Sequence, residues 1–365
     1  MSRHRKIALA AGGTGGHLFP ASALAAVLRA RGYGVALITD ARGARYDENF
    51  PADITHVVPS DTVRGRSPAK LARTFWSLVR GAVASRRILQ KYRPDAAIGF
   101  GGYPSLPPLF AARLQRIPII LHEQNAVLGR ANRAMARSAH RIAFGFPFIG
   151  TGKLDTDKLV VTGNPVRAEV LTAASHRRTE DERFRILVFG GSQGARVFSD
   201  VVPEAIASLP EEVRARLEIV QQARPEDVDR VRGRFSELGM AADIAPFFKD
   251  LPMRMAKADL VIGRAGASTV SELCAIGRPS LLVPLPHALD QDQAANARVV
   301  SAAGGAQVIP QADFTPNKLA VILTGLMNES TNLAAMARAA RSVGRHDAAE
   351  RLADIVEDVI SEKTP

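Results

Sequence analysis

Twice in this chain a short apolar strand runs into a cluster of glycines and out again into a helix-patterned segment. That repeat decides most of what the chain can fold into. The first copy is Lys6–Ala11, then Gly12-Gly-Thr-Gly-Gly-His17, then apolar residues at helical spacing from Leu18 to Arg31. The second, almost half the chain later, is Phe184–Phe189, Gly190-Gly-Ser-Gln-Gly194 and Ala195–Leu209. Gly34–Asp40 follows the first copy as another strand, which completes a βαβ unit and predicts a parallel sheet flanked by helices. Asp95–Gly99, Ile117–Leu121, Leu217–Gln221, Asp259–Ile262 and Ser280–Val283 read as further strands. The predicted class is α/β, with two similar halves, because 365 residues exceed what one such core usually holds. The join falls at Gly163-Asn-Pro-Val-Arg167, giving domains 1–165 and 166–345, and the chain closes with an amphipathic helix at Ala348–Ser361.

A glycine turn between strand and helix brings backbone N–H groups close to a phosphate and sets that anion at the positive end of the helix dipole. Two such turns, one per half, predict a cleft between facing domains. Neither is a dinucleotide fingerprint, since Leu18 stands where the third glycine belongs, and neither is a Walker loop, since no Gly-Lys-Ser/Thr follows. Asp40 at the end of the second strand is the one feature that favours a nicotinamide enzyme. Gly101-Gly-Tyr-Pro104, His122-Glu-Gln-Asn125, Arg264–Glu272 and Asp290–Ala297 sit where parallel strands end, the usual place for ligands in such sheets. Within the third of these, Ser268 and Thr269 can cap the next helix and Glu272 can complete a capping box; the alternative is that the Glu272 carboxylate accepts from a ribose diol.

With 48 Lys and Arg against 36 Asp and Glu, the chain carries +12 and calls for an acidic partner. Val63–Arg93 holds nine basic residues and no acidic one, with Arg73, Arg80 and Arg87 seven apart on one helical face and Leu71, Phe75, Leu78 and Ala82 opposite them as the packed side. That basic face suits an anionic membrane surface. Nucleic acid is a poor match, with one Trp, four Tyr and no recognition motif. No stretch is apolar enough to span a bilayer, and Ile7–Ala11 is too short for a signal sequence despite the basic start, so a cytosolic, peripheral protein is expected. The single Cys274, between Leu273 and Ala275, reads as a buried small hydrophobe.

Taken together, Gly12–Pro20, Gly101–Tyr103, His122–Asn125, Gly163–Arg167, Gly190–Ala195 and Gly266–Glu272 resemble the successive motifs of the MurG family of peptidoglycan glycosyltransferases, in order and across nearly the whole chain. The resemblance implies a GT-B fold, two Rossmann-like domains facing across a cleft, with the last helix (about 346–365) packing back on the first. It implies inverting transfer of N-acetylglucosamine from UDP-GlcNAc to the C4 hydroxyl of the muramoyl sugar of lipid I, giving lipid II at the cytoplasmic face of the inner membrane. Carried over residue by residue, Thr14, Gly15 and Gly16 face the donor diphosphate and sugar, and Asn125 binds the donor sugar. Arg167 and Ser192 contact the diphosphate, the Phe248 backbone meets uracil, Ala267, Ser268, Thr269, Val270, Ser271 and Glu272 hold the nucleoside, and Gln293, with Gln291 as the alternative register, reaches the sugar hydroxyls.

His17 is the candidate general base, because it closes the first glycine loop and an imidazole there could accept the acceptor hydroxyl proton; Glu123 and His122 are weaker candidates. Asp155/Asp157, Asp227/Asp229 and Asp290/Asp292 have the Asp-x-Asp spacing of a metal site, but no metal or other cofactor is expected. Competing readings are another UDP-sugar enzyme of this fold (a glycolipid glycosyltransferase or a UDP-GlcNAc epimerase) and a nucleotide-sugar-binding protein without catalysis.

Overall fold

The computed structural model describes residues 4–44, 50–60, 67–148, 154–176, 183–191, 194–286 and 291–362. The chain forms two compact units, Met1–Arg167 with His346–Pro365, and Ala168–Arg345. In the first, the elements are β1 (Lys6–Ala10), α1 (Gly15–Ala30), β2 (Gly34–Thr39), β3 (Ile54–Val57), α2 (Pro68–Tyr92), β4 (Ala96–Gly99), α3 (Leu106–Leu114), β5 (Ile119–Glu123), α4 (Arg130–Met135), β6 (Arg141–Phe144) and β7 (Leu159–Val161). The second holds α5 (Ala168–Ala174), β8 (Phe184–Phe189), α6 (Arg196–Ala207), α7 (Glu211–Arg214), β9 (Leu217–Gln222), α8 (Val228–Glu237), β10 (Ala242–Ala245), α9 (Leu251–Lys257) and β11 (Leu260–Gly263). It continues through α10 (Ala267–Ile276), β12 (Ser280–Leu282), α11 (Asp292–Ala302), β13 (Ala306–Val308), α12 (Pro316–Asn328) and α13 (Ser330–Val343); α14 (Ala348–Ser361) then returns to the first unit.

Both sheets are parallel, ordered β3-β2-β1-β4-β5-β6-β7 and β10-β9-β8-β11-β12-β13. Each therefore contains the 3-2-1-4-5-6 order of a doubly wound nucleotide-binding fold, whose direction switches between the first and fourth strands. The same two-point clamp sets that switch in both units. Asp95, just before β4, accepts the Lys6 N–H at 2.8 Å and donates its own N–H to the Lys6 carbonyl at 2.7 Å. Asp259, just before β11, does the same to Arg185 at 2.8 and 2.9 Å. Strands β1, β2, β4 and β5 are almost wholly buried, as a sheet covered on both faces requires. Helix α14 supplies part of that cover, with Leu352, Val356 and Ile360 packed among Leu18, Leu24 and Leu28 of α1, and Arg31 paired to Asp354 and Glu357 at 2.7 and 3.2 Å.

Two sequence expectations are corrected. Helix α1 starts at Gly15 rather than Leu18, so Gly15, Gly16 and His17 form its first turn. Helix α2 does not pack through the Phe75 side. Its buried stripe is Thr74, Gly81, Ser85 and Leu89, while Phe75 and Trp76 stand 61% and 63% exposed. The reason is close approach: a Cβ at Gly81 would collide with the Pro59 carbonyl and lie 3.1 Å from Pro107, so small residues mark the tightest part of the contact, with Leu89 closing the stripe. Cys274 is buried as expected, and burial pushes its thiol up to about 12.

Candidate active site

Helix α1 opens directly off β1 with Thr14 at its N-cap in extended conformation, no side chain capping it and no acidic residue in its first turn. Its first N–H groups are thus left for an anion, at the carboxyl end of the switch-point strand. The loop is held from beneath. Asp40, 3% exposed at the end of β2, accepts the N–H of Gly13 at 2.8 Å and of Gly43 at 2.9 Å on one oxygen, and Arg42 Nε at 2.9 Å on the other. Gly12 is pressed so closely onto Asp40, Thr39 and Pro104 that a Cβ there would lie 2.7–3.0 Å from all three. An Asp occupied in this way does not serve a nicotinamide ribose, which removes the one feature that favoured an oxidoreductase.

The His122-Glu-Gln-Asn125 segment runs off the end of β5 beside this loop. His17 Nδ1 lies 3.1 Å from Gln124 Oε1, Gln124 Nε2 lies 3.0 Å from His122 Nδ1, and His122 Nε2 lies 3.2 Å from the Gly163 carbonyl. His17 is half-buried, whereas His122 is fully enclosed. Burial drives the His122 imidazolium down to about 4, against a smaller opposing pull from the Gly163 carbonyl. His122 is therefore neutral and shut away from substrate, which corrects its candidacy as a base.

Glu123 is corrected as well. At 2% exposure its carboxylate accepts from the Asn125 N–H (3.1 Å), Asn125 Nδ2 (3.0 Å), the Gly129 N–H (2.9 Å) and Asn132 Nδ2 (2.9 Å). It orders the Asn125–Gly129 loop and holds the Asn125 amide with its nitrogen inward. Arg167, at the end of the first unit, stacks its guanidinium 4.4 Å from the Phe19 ring centre, which fixes the approach of a flexible cation.

The second unit repeats the design. Gln222 at the end of β9 stands where Asp40 does, accepting the Gly190 N–H at 2.9 Å and donating to the Gly191 and Pro246 carbonyls at 3.0 and 3.1 Å. Helix α6 begins without a side-chain cap or a first-turn acid. Ser192, expected on the diphosphate, lies outside the described residues. Helix α10 has Gly266 at its N-cap and likewise neither cap nor acid. Glu272 lies well past the first turn, which excludes the capping box; it is 6% exposed.

Val270 is wholly buried, so its side chain packs rather than meeting a ligand, while Ala267, Ser268 and Thr269 remain half-exposed. The enclosed Ser268 hydroxyl has no hydrogen-bond partner among the described residues. Phe248 is 8% exposed under the Arg254 guanidinium, 4.3 Å from its ring centre, which leaves its backbone for any ligand. Gln293 Oε1 accepts the N–H groups of Ala265 (3.3 Å) and Leu285 (3.0 Å), which turns its amide nitrogen the other way. Gln291, the alternative register, sits at the α11 N-cap with φ of 53°.

Sequence reading missed the residues that hold these loops. Arg264, 8% exposed, donates to the Val283 carbonyl (3.0 Å), the Pro284 carbonyl (3.2 Å) and Gln311 Oε1 (2.6 Å), tying the β11 end to the β12 end. Burial, reinforced by Arg224, lowers its pKa. Among the described residues no three His, Cys, Asp or Glu side chains cluster as metal ligands do. Asp227 and Asp229 instead pair with Arg230 at 2.7 Å and Arg232 at 3.2 Å, and Asp290 lies outside the described residues.

Residues 7–144 match the glycosyltransferase family 28 N-terminal domain, and residues 185–352 the glycosyltransferase family 28 C-terminal domain. The UDP-N-acetylglucosamine–N-acetylmuramyl-(pentapeptide) pyrophosphoryl-undecaprenol N-acetylglucosamine transferase of Brucella suis biovar 1 is 55% identical over 361 residues, 98% of this chain and 95% of that protein. The protein of that name from Brucella melitensis biotype 2 matches to the same extent, 55% over 361 residues. The crystal structure of Acinetobacter baumannii MurG superposes with a TM-score of 0.78 at 30% identity, over 97% of this chain and 99% of that one. A UDP-N-acetylglucosamine 2-epimerase structure reaches a TM-score of 0.71 at 13% identity over 100% of this chain and 98% of its own, and so shares the fold alone. With two family 28 domains matched in order on two parallel switch-point sheets, and relatives more than half identical along nearly the whole length, the chain belongs to glycosyltransferase family 28 and, within it, to the MurG family of GT-B fold.

Proposed function

We propose that this protein moves N-acetylglucosamine from UDP-GlcNAc to the C4 hydroxyl of the muramoyl sugar of lipid I, forming lipid II for peptidoglycan synthesis. The observation that carries this reading is the histidine at the first turn of an uncapped helix, at the switch point of a family 28 N-terminal domain. The first unit presents the acceptor hydroxyl to His17, and the second binds the UDP portion of the donor. His17 takes the hydroxyl proton as the oxygen attacks the anomeric carbon. The bond to the diphosphate breaks with its electron pair leaving on UDP, and the anomeric centre inverts. Thr14, Gly15, Gly16 and Asn125 meet the donor diphosphate and sugar, Arg167 and Ser192 the diphosphate, the Phe248 backbone and the Ala267–Glu272 segment the nucleoside, and Gln293 the sugar hydroxyls.

Magnitudes decide how the leaving charge is met. Catalysis must lower the barrier by at least about 8 kcal/mol, and a helix N-terminus supplies about 0.3–1. Several charge-assisted hydrogen bonds of roughly 1.5–3 kcal/mol each, from Arg167 and the loop N–H groups, supply much of the remainder, and alignment of the bound substrates the rest. A chelator should leave turnover unchanged on this account. In labelled transfer to a lipid I analogue, His17→Ala should lower kcat by about 10²–10⁴ with donor affinity little altered. An unchanged kcat would take His17 out of this role.

Among the described residues no helix is both long and apolar enough to cross a membrane. The acceptor is lipid-linked, so the enzyme works peripherally, and we place it at the cytoplasmic face of the inner membrane. Trp76 and Val83, 63% and 50% exposed, share the α2 sector that carries Arg73, Arg80 and Arg87. Apolar side chains among cations suit an anionic leaflet, where each nearby Lys or Arg contributes about 1 kcal/mol.

A further inference from the structure

Resting on the reading of His17 as the base, we propose that His122 and Gln124 are positioning residues: a chain of hydrogen bonds from the Gly163 carbonyl through them holds His17 protonated on Nδ1, so that Nε2 carries the lone pair that accepts the substrate proton. The chain has a direction because it starts on an atom that can only accept. The Gly163 carbonyl, 3.2 Å from His122 Nε2, requires a proton on that nitrogen. His122 is 0% exposed and neutral, so its Nδ1 is left with a lone pair. Gln124 Nε2 then donates to it at 3.0 Å, and its second hydrogen goes to the His122 main-chain carbonyl at 3.1 Å. With both amide hydrogens directed at acceptors, the opposite amide orientation is excluded, since it would press Oε1 against a carbonyl oxygen and a ring lone pair. Gln124 Oε1 therefore faces His17 Nδ1 at 3.1 Å as an acceptor, and the His17 proton must reside there.

A separate observation concerns the space beside Nε2. Gly101 and Gly102, which follow β4, hold φ of 79° and 70°, and a Cβ on Gly102 would sit 3.1 Å from His17 Nε2. A side chain at that position would cover the lone pair. The glycine pair keeps it open, while its left-handed backbone carries the chain past the ring. The partner of His17 is a neutral amide, so the imidazolium formed in the reaction keeps its Nδ1–H bond to Gln124 and passes no proton down the chain. His122 and Gln124 act on orientation and tautomer only.

Two-bond ¹H–¹⁵N correlation spectra of ¹⁵N-histidine-labelled enzyme report which ring nitrogen is protonated, with His17→Ala identifying the His17 signals. The intact enzyme should show His17 protonated on Nδ1. Gln124→Leu should release it toward the Nε2-protonated form and lower kcat about ten-fold or more, with the donor Kd within about two-fold. A wild-type spectrum with the His17 proton on Nε2, or an unaltered tautomer in Gln124→Leu, overturns the proposal. Failure of the base reading has a different signature, because there kcat survives His17→Ala whatever the spectrum shows.

Discussion

Along His122-Glu-Gln-Asn125 three successive side chains hold their neighbours and only Asn125 is proposed to meet substrate, and the holding residues can be tested through pH and substitution. His122 is held neutral by burial at about 4, against an ordinary value near 6.5, so the unfolded chain takes up its proton first as pH falls. Stability is therefore lost between pH 6.5 and 4, by roughly 3 kcal/mol at most from this group. In denaturant titrations, His122→Gln should show a slope of unfolding free energy against pH that is shallower by close to one proton in that window. An identical slope would mean that His122 is protonated in the fold. Glu123 tests the loop. Glu123→Ala leaves four donors without their acceptor and should destabilise by about 2–4 kcal/mol while raising the donor KM through a loosened Asn125, measured as a Tm shift alongside steady-state kinetics. At this scale the sequence marked the segments that carry His17, Asn125 and the glycines as strand-end clusters, and the structure places those segments at the carboxyl ends of β1, β4 and β5. It did not announce that Asp40 and Gln222 are loop supports, because a polar residue at the end of a parallel strand reads alike whether it faces a ligand or the turn beneath it.

Among the elements, helix α2 shows where pattern reading fails. Large apolar residues at helical spacing marked Leu71, Phe75, Leu78 and Ala82 as the packed side; the side chain of Leu71 is not described, Leu78 and Ala82 are half-buried, and Phe75 stands exposed. Close helix approach selects small residues, and Gly81 and Ser85 leave no trace in a hydrophobicity pattern. Gly81→Val should destabilise by about 1–3 kcal/mol by overpacking against Pro59 and Pro107, and unfolding curves would register it. The exposed side then has its own test, because Trp76 is the sole tryptophan of the chain. Its fluorescence should shift to the blue on addition of anionic vesicles, return as salt rises, and respond less when Arg73, Arg80 and Arg87 are neutralised. Emission unmoved by vesicles would remove α2 as the membrane contact. Short edge strands escaped the sequence for a related reason. Strand β3, Ile54–Val57, is half-exposed along its length and lacks the apolar run that marked β1, β4 and β8.

For the whole molecule, the repeated glycine turn was enough to predict two similar α/β halves, and the two sheets share strand order, clamp and turn support down to equivalent residues. The role of α14 is legible only in part, since amphipathy shows a buried face but not what buries it. That face completes the core over α1, and Leu352→Ala, at a site with no exposed surface, should destabilise the first unit by about 2–5 kcal/mol while UDP binding by the second is retained, as calorimetry with and without UDP would report. The most direct test of the account as a whole is product analysis of the intact chain given UDP-[¹⁴C]GlcNAc and a lipid I analogue in the presence of EDTA. The expected result is label in a β-linked lipid disaccharide, formed as fast as without chelator. Label found only in free sugar or an epimerised nucleotide, or a product that vanishes on chelation, would contradict it.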